Sequence, residues 1–87
     1  MQTGAAMVDV TLWGGLVPLA DDQKTLSVEA STIRELLRKL EDRYPALAGP
    51  IKSEIAVVVD GVIYRNDWSQ PIPEGAEVFL MRRLAGG

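Results

Sequence analysis

The sequence contains no cysteine and no histidine among its 87 residues. Without cysteine, the chain can form no disulfide bond and offers no thiolate as a nucleophile or metal ligand. Without histidine, it lacks the commonest metal ligand and the commonest general base near neutral pH. The carboxylates are scattered along the sequence and do not form an acid–base cluster. These absences argue against an enzyme, and we expect the chain itself to hold neither a metal ion nor a cofactor.

Excess positive charge and long apolar runs are also missing. The formal net charge of −3 disfavours nucleic acid, which rewards clustered lysine and arginine. No apolar run approaches the roughly 18 residues that cross a bilayer, and the N-terminus lacks the basic and apolar regions of a signal peptide. We therefore expect a cytoplasmic protein that binds neither nucleic acid nor a membrane. The 47% hydrophobic content fits an ordinary globular domain.

The N-terminal third predicts a short extension followed by two strands. Residues 1–6 are small and polar, and we interpret them as a disordered extension before a domain that spans residues 7–84. From Met7 to Trp13, apolar residues alternate with others, which is typical of a half-buried strand. Gly14-Gly15 ends this strand, and a second is predicted across Lys24–Val28.

One helix is clearly indicated after these strands. Thr32 can cap its N-terminus, with Glu35 three residues later as the second half of a capping box. The apolar residues that follow the helical period form one stripe: Ile33, Leu36, Leu37 and Leu40. Pro45 should end the helix near Tyr44, because a residue before proline disfavours helical geometry.

The next segment predicts a loop and then a hairpin. The loop is placed around Gly49-Pro50, followed by a strand at Ile55–Val59 with apolar residues on both faces. Asp60-Gly61 indicates a type I′ turn, in which both central residues need positive φ. Val62–Tyr64 would then be the short returning strand.

The last strand is predicted at Glu77–Leu84, after a tight turn at Pro73-Glu74-Gly75. Its side chains should alternate, with Val78 and Leu80 facing the helix and Phe79 and Met81 facing the other way. The order of elements is β-β-α-β-β-β. It predicts an α+β fold of the β-grasp (ubiquitin-like) type, a mixed sheet with one main helix packed on one face.

The chain resembles the MoaD/ThiS family of sulfur carriers from Met7 onwards. The resemblance rests on four internal segments and on the terminal Ala85-Gly86-Gly87, which is the most specific feature. The internal segments are Thr32–Leu37, Arg43-Tyr44-Pro45, Val58–Gly61 and Pro73–Val78. The Arg-Tyr-Pro segment and the length look more like the small subunit of molybdopterin synthase than the shorter thiamine carrier.

The resemblance implies a carrier co-substrate, not an enzyme, in which Gly87 is the reacting residue. A separate activating enzyme, using ATP and Mg²⁺, would adenylate its carboxylate, and a sulfur donor would convert it into a thiocarboxylate. The acceptor would be an enzyme such as the molybdopterin synthase large subunit, in molybdenum cofactor biosynthesis. Glycine suits this chemistry, because without Cβ it can enter a narrow channel and leaves the acyl carbon unhindered.

Partner-binding residues are predicted along the last strand and the tail, namely Phe79, Met81, Arg82, Arg83, Leu84, Ala85 and Gly86. Residues 85–87 are expected to be flexible. We interpret Trp13 and Trp68 as packing residues.

Three functions stay open at this point. The first is the sulfur carrier, for molybdopterin or alternatively for thiamine or another sulfur-containing metabolite. The second is a ubiquitin-like modifier of target proteins, which the basic pair Arg82-Arg83 favours. The third is an interaction module whose tail is inert.

Overall fold

The computed structural model describes residues 6–53 and 55–82. The first strand begins at Ala6, one residue before the predicted start of the domain. The rest of the predicted extension, the end of the last strand at Leu84 and the tail at residues 85–87 lie outside the described residues.

The predicted order of strands and main helix is confirmed, with additional short helices between them. Two 3₁₀ helices span Gly14–Ala20 and Pro45–Leu47. The strands and α-helices are β1 (Ala6–Leu12), β2 (Thr25–Ala30), α1 (Ile33–Arg43), α2 (Ala48–Ser53), β3 (Ile55–Val59), β4 (Val62–Tyr64) and β5 (Glu77–Arg82).

The strands form one mixed sheet in the order β2-β1-β5-β3-β4. β1 and β5 run parallel, whereas β1–β2, β3–β4 and β3–β5 are antiparallel pairs. β5, the last strand along the chain, is therefore the central strand of the sheet. The predicted α+β architecture, a mixed sheet with one main helix on one face, is confirmed.

The core lies between α1 and one face of the sheet. All four residues of the predicted helical stripe are buried, from Ile33 to Leu40. Opposite them, β1 contributes Val8, Val10 and Leu12, and β5 contributes Val78 and Leu80; each is at most 1% exposed. The period-two and helical patterns in the sequence therefore identified the buried faces correctly.

The N-terminus of α1 is held by its own side chains and by a distant loop. Thr32 Oγ1 accepts a hydrogen bond from the Glu35 N–H at 3.1 Å, as the capping box predicts. The Glu35 carboxylate turns back to Ser31, one residue earlier than a standard box, and accepts from its N–H at 2.8 Å. The N–H groups of Ile33 and Arg34 have no acceptor within the helix, and they donate to the carbonyls of Gln70 and Trp68, respectively.

This cap should make α1 sensitive to acid. The Ser31 N–H and hydroxyl, and to a smaller extent Lys39, hold the pKa of the Glu35 carboxyl below its usual value. A lowered folded-state pKa contributes stability above the unfolded pKa, and that contribution is lost as the pH falls through the folded value. We expect Glu35→Gln to lower the thermal unfolding midpoint at pH 7, and the difference from wild type to close in strong acid. An equal difference at every pH would contradict this assignment.

The loop predicted around Gly49-Pro50 is wrong, since both residues lie in α2, which directly follows the 3₁₀ helix Pro45–Leu47. Leu47 and Ile51 lie four residues apart and both are buried, so a helical turn brings them to the same side. Pro50 is tolerated because it is in the first turn of α2, where its missing N–H would have no intrahelical acceptor.

Both predicted turns, one between β3 and β4 and one before β5, have glycine in the predicted conformation. Asp60 and Gly61 have φ of 49° and 86°, as a type I′ turn requires. Gly75 has a φ of 78°, and the Ala76 N–H donates to the Pro73 carbonyl at 3.1 Å. Asp60 also accepts a hydrogen bond from the Glu77 N–H through Oδ1 at 3.0 Å, which ties the hairpin to the start of β5.

Candidate functional site

The side of the sheet that faces away from α1, here called the open face, is not covered by any described element. It carries the odd-numbered residues of β1, β2 and β5. Their neighbours on this face are Ala56 and Val58 of β3 and Ile63 of β4. Its centre is a row of neighbouring residues that crosses four strands in register: Thr11, Phe79, Val58 and Ile63. Phe79 thus lies at the middle of the sheet.

Five side chains make an apolar patch on this face: Trp13, Val58, Ile63, Phe79 and Met81. Trp13 packs its ring edge-to-face against Phe79, with centroids 5.7 Å apart and planes at 73°. Trp13 is nevertheless 49% exposed and Ile63 56% exposed. Exposed aromatic and aliphatic groups that lie together are typical of protein interaction surfaces.

The other end of the open face is acidic. Asp9 faces Glu77 across the β1–β5 pair, and the Ser27 hydroxyl donates to Asp9 Oδ1 at 2.9 Å. Glu29, on β2, is exposed near the same end. A protein that covers the apolar patch would therefore meet carboxylates along one side, which favours a partner with basic residues at that border.

The apolar patch extends from the middle of the open face to the end of the sheet at which β5 ends. Because β1 and β5 are parallel, Trp13, which follows β1, and Arg82, which ends β5, lie at the same edge. A methyl group added at Gly15 would lie 3.7 Å from Arg82 Nη1, so the guanidinium lies close to the 3₁₀ helix. Any segment that follows Arg82 therefore begins beside the patch.

The structure describes three of the residues predicted to bind partners. Phe79 and Met81 are half-buried on the open face, opposite to the buried Val78 and Leu80, so the assignment of faces on β5 is confirmed. Arg82 is exposed at the end of the strand. The reacting residue Gly87 and the predicted contacts Gly86, Ala85, Leu84 and Arg83 lie outside the described residues, and their roles stay predictions.

Sequence reasoning missed three members of the apolar patch, namely Trp13, Val58 and Ile63. Trp13 was interpreted as a packing residue, although the alternation of β1 already placed it on the face opposite to Leu12. Ile63 could have been found from the two-residue turn, which fixes it opposite Val58. Trp68 does pack, half-buried, against the core.

Two further features are absent from residues 6–53 and 55–82. In this part of the chain, no group of three or more acidic, histidine or cysteine side chains is placed to hold a metal ion. Among the same residues, no helix has the length and apolar character needed to cross a bilayer.

Comparisons with known proteins agree with this fold. The sequence profile of the ThiS family matches residues 10–87. Small archaeal modifier protein 1 from Methanosarcina acetivorans is 22% identical, with a TM-score of 0.76 over 98% of this chain and 100% of that chain. A search among curated proteins gave no match.

Two further similar structures are complexes. The complex of subunits 1 and 2 of molybdopterin-converting factor from Helicobacter pylori includes a chain 20% identical to this one, with a TM-score of 0.66 over 93% of this chain and 99% of that one. A chain of the BexX/CysO complex from Amycolatopsis orientalis is 17% identical, with a TM-score of 0.73 over 92% and 99% of the two chains. At these identities the likeness establishes the shared ubiquitin-like fold.

Proposed function

The chain belongs to the ThiS family of small sulfur carriers, and we propose that it delivers sulfur as a thiocarboxylate formed at Gly87. In this proposal the chain is a co-substrate that enzymes act upon. An activating enzyme uses ATP and Mg²⁺ to adenylate Gly87, a sulfur donor supplies the sulfur, and an acceptor enzyme consumes it. The proposed product is a sulfur-containing cofactor, with molybdopterin as the favoured case.

The chemistry requires a free carboxylate at the end of a thin, extended segment. An α-carboxyl group has a pKa of about 3.5, so it is ionised at neutral pH and can attack the α-phosphate of ATP. Pyrophosphate leaves, and the carboxylate becomes an acyl-adenylate. Sulfide (HS⁻) delivered by the donor then attacks the acyl carbon and displaces AMP, which gives the thiocarboxylate.

The observation that supports this proposal is the position of the apolar patch beside the end of β5. An enzyme docked on Trp13 and Phe79 would lie next to the point where the chain continues beyond Arg82. The five residues from Arg83 to Gly87 can span at most about 17 Å when extended. That reach suits delivery of the Gly87 carboxylate into an active site adjoining the docked surface.

Two separate features favour an enzyme of molybdopterin synthesis as the acceptor. The Arg43-Tyr44-Pro45 segment at the end of α1 resembles the molybdopterin synthase small subunit. The similar Helicobacter pylori chain occurs in a complex of molybdopterin-converting factor subunits 1 and 2. We propose that this chain also pairs with a second subunit, and that it does so through its open face.

Protein modification is the second candidate, favoured by the similarity to small archaeal modifier protein 1. The same activated carboxyl group would then form an isopeptide bond with lysine side chains of target proteins. The basic residue Arg82 at the end of β5 is consistent with this candidate as well as with the first.

Intact-mass measurement separates the two candidates. We expect the chain, purified from cells that express its activating enzyme and sulfur donor, to gain the mass difference between a sulfur and an oxygen atom. A chain that lacks Gly87 should show no such gain under the same conditions. A ladder of heavier conjugates without the sulfur-containing species would instead favour the modifier, and an unaltered mass with no conjugates would contradict both.

A further inference from the structure

A second candidate binding site lies on the helical side of the molecule, away from the open face. It is an open groove of about 320 Å³ between α1, α2 and the loop that follows β4. Three apolar side chains, Leu37, Ile51 and Trp68, line it together with four charged ones: Arg34, Arg38, Glu41 and Lys52. Its size is at the lower end of ligand pockets in proteins.

The groove has the opposite charge to the molecule as a whole. It combines three cationic side chains with one carboxylate, whereas the whole chain carries a net charge of −3. Arg34 and Arg38 are four residues apart on α1, an arrangement in which like charges disfavour each other. Lys52 approaches from α2, and neither it nor Arg38 forms an ion pair within the described residues.

The apolar side of the groove is rigidly built. Leu37 and Ile51 are 4% and 6% exposed, so they form a fixed floor. The loop that carries Trp68 is fastened to α1, because the Arg34 N–H donates to the Trp68 carbonyl at 2.8 Å. Trp68 itself is half-buried against the core and lines the groove.

Asp67 stiffens the same loop from within. Its carboxylate accepts hydrogen bonds from the Gln70 side chain at 2.6 Å and from the Ser69 hydroxyl at 2.7 Å. These bonds, with a smaller effect of Arg34, hold the pKa of Asp67 below its usual value. The carboxylate is therefore ionised at neutral pH and already hydrogen-bonded within the loop. The loop thus holds Trp68 in position before any ligand binds.

We propose that this groove binds an acidic segment of a partner protein, with one bulky apolar side chain seated against Trp68. Carboxylates on either side of that anchor would pair with Arg38 and Lys52 and relieve the repulsion between Arg34 and Arg38. A basic segment would add to that repulsion, and a purely polar acidic one would leave the apolar floor unused. The groove and the open face lie on opposite sides of the molecule, so both can be occupied at once.

The test uses tryptophan fluorescence and a defined probe. Trp13→Phe leaves Trp68 as the single tryptophan of the chain. The probe is a capped hexapeptide with a Leu-Phe centre flanked on each side by two acidic residues. We expect it to change the Trp68 emission saturably, and the binding to weaken as the salt concentration rises.

A matched pair of double variants locates the binding. Arg38→Glu with Lys52→Glu should weaken the binding about tenfold or more, because attraction is replaced by repulsion at both positions. Lys24→Glu with Arg65→Glu changes the net charge equally but lies outside the groove, and should leave the binding within about twofold. Circular dichroism melts would confirm that both variants remain folded.

Four results would overturn the proposal. The first is an equal loss of peptide affinity in the control pair, and the second is the absence of saturable binding. The third is equally tight binding of a hexapeptide with lysine in place of its acidic residues. The fourth is equally tight binding of an acidic hexapeptide with a Gly-Gly centre. Full competition by inorganic triphosphate would indicate a general anion site instead. None of these results bears on the sulfur-carrier proposal, which uses the other side of the molecule.

Discussion

Removal of Gly86 and Gly87 is expected to abolish adenylation by the cognate activating enzyme and to leave the thermal unfolding midpoint unchanged. Among the described residues the buried core extends from Val8 to Leu80, so we expect the fold to tolerate the loss of the last two residues. Truncation moves the carboxylate to Ala85 and shortens the reach beyond Arg82 by about 7 Å. A displacement of that size places the carboxylate far outside reacting distance of the α-phosphate. ATP–pyrophosphate exchange measures the loss directly.

Gly86→Val is the matched control for this truncation. It keeps the length of the chain and its carboxylate but adds a branched Cβ that stiffens and widens the tail. We expect this variant to be adenylated slowly, between wild type and the truncated chain. Pyrophosphate exchange by the truncated chain at the wild-type rate would contradict the assignment of Gly87 as the reacting residue.

The buried faces of the strands and of α1 could be predicted from the sequence, because buried side chains recur with the period of the strand or helix that carries them. In β5, the alternation of Val78 and Leu80 with Phe79 and Met81 fixes which pair faces the core once one face is covered by α1. The turn at Asp60-Gly61 was equally predictable, since the two-residue loop with positive φ depends only on those residues.

The short helices could not be predicted, because tertiary burial stabilises them more than local propensity does. Gly49 and Pro50 are residues typical of a loop, and only the burial of Leu47 and Ile51 makes the segment helical. Gly14–Ala20 is a similar case, in which the buried Leu16 and Ala20 hold a 3₁₀ helix that includes a proline.

The candidate sites were predictable only in part, for a related reason. Phe79 and Met81 were found because they belong to one strand. Trp13 joins them only because β1 lies parallel to β5, a pairing between distant segments that no local pattern reveals. The groove is wholly non-local, since Arg38, Lys52 and Trp68 come from α1, α2 and a loop.

Phe79→Asp should weaken binding to the activating enzyme by at least about 2 kcal/mol, the scale of an interface hot spot. Phe79 lies at the centre of the open face, in contact with Trp13, and a carboxylate there would be desolvated beneath the partner. Its own unfolding midpoint should fall much less than that of a charge placed in the core, because the side chain is partly exposed in the free protein. Titration calorimetry against the purified enzyme, together with a thermal melt, measures both quantities.

Leu80→Asp, one residue along β5, should instead destabilise the fold. Leu80 is 0% exposed, so the substitution buries an unpaired charge in the core and should unfold the domain. Thr25→Asp adds the same charge to the exposed β2 edge of the open face, outside the apolar patch, and should alter neither binding nor stability appreciably. If Phe79→Asp and Thr25→Asp bind the enzyme equally well, the apolar patch is not the docking surface and recognition depends on the tail alone.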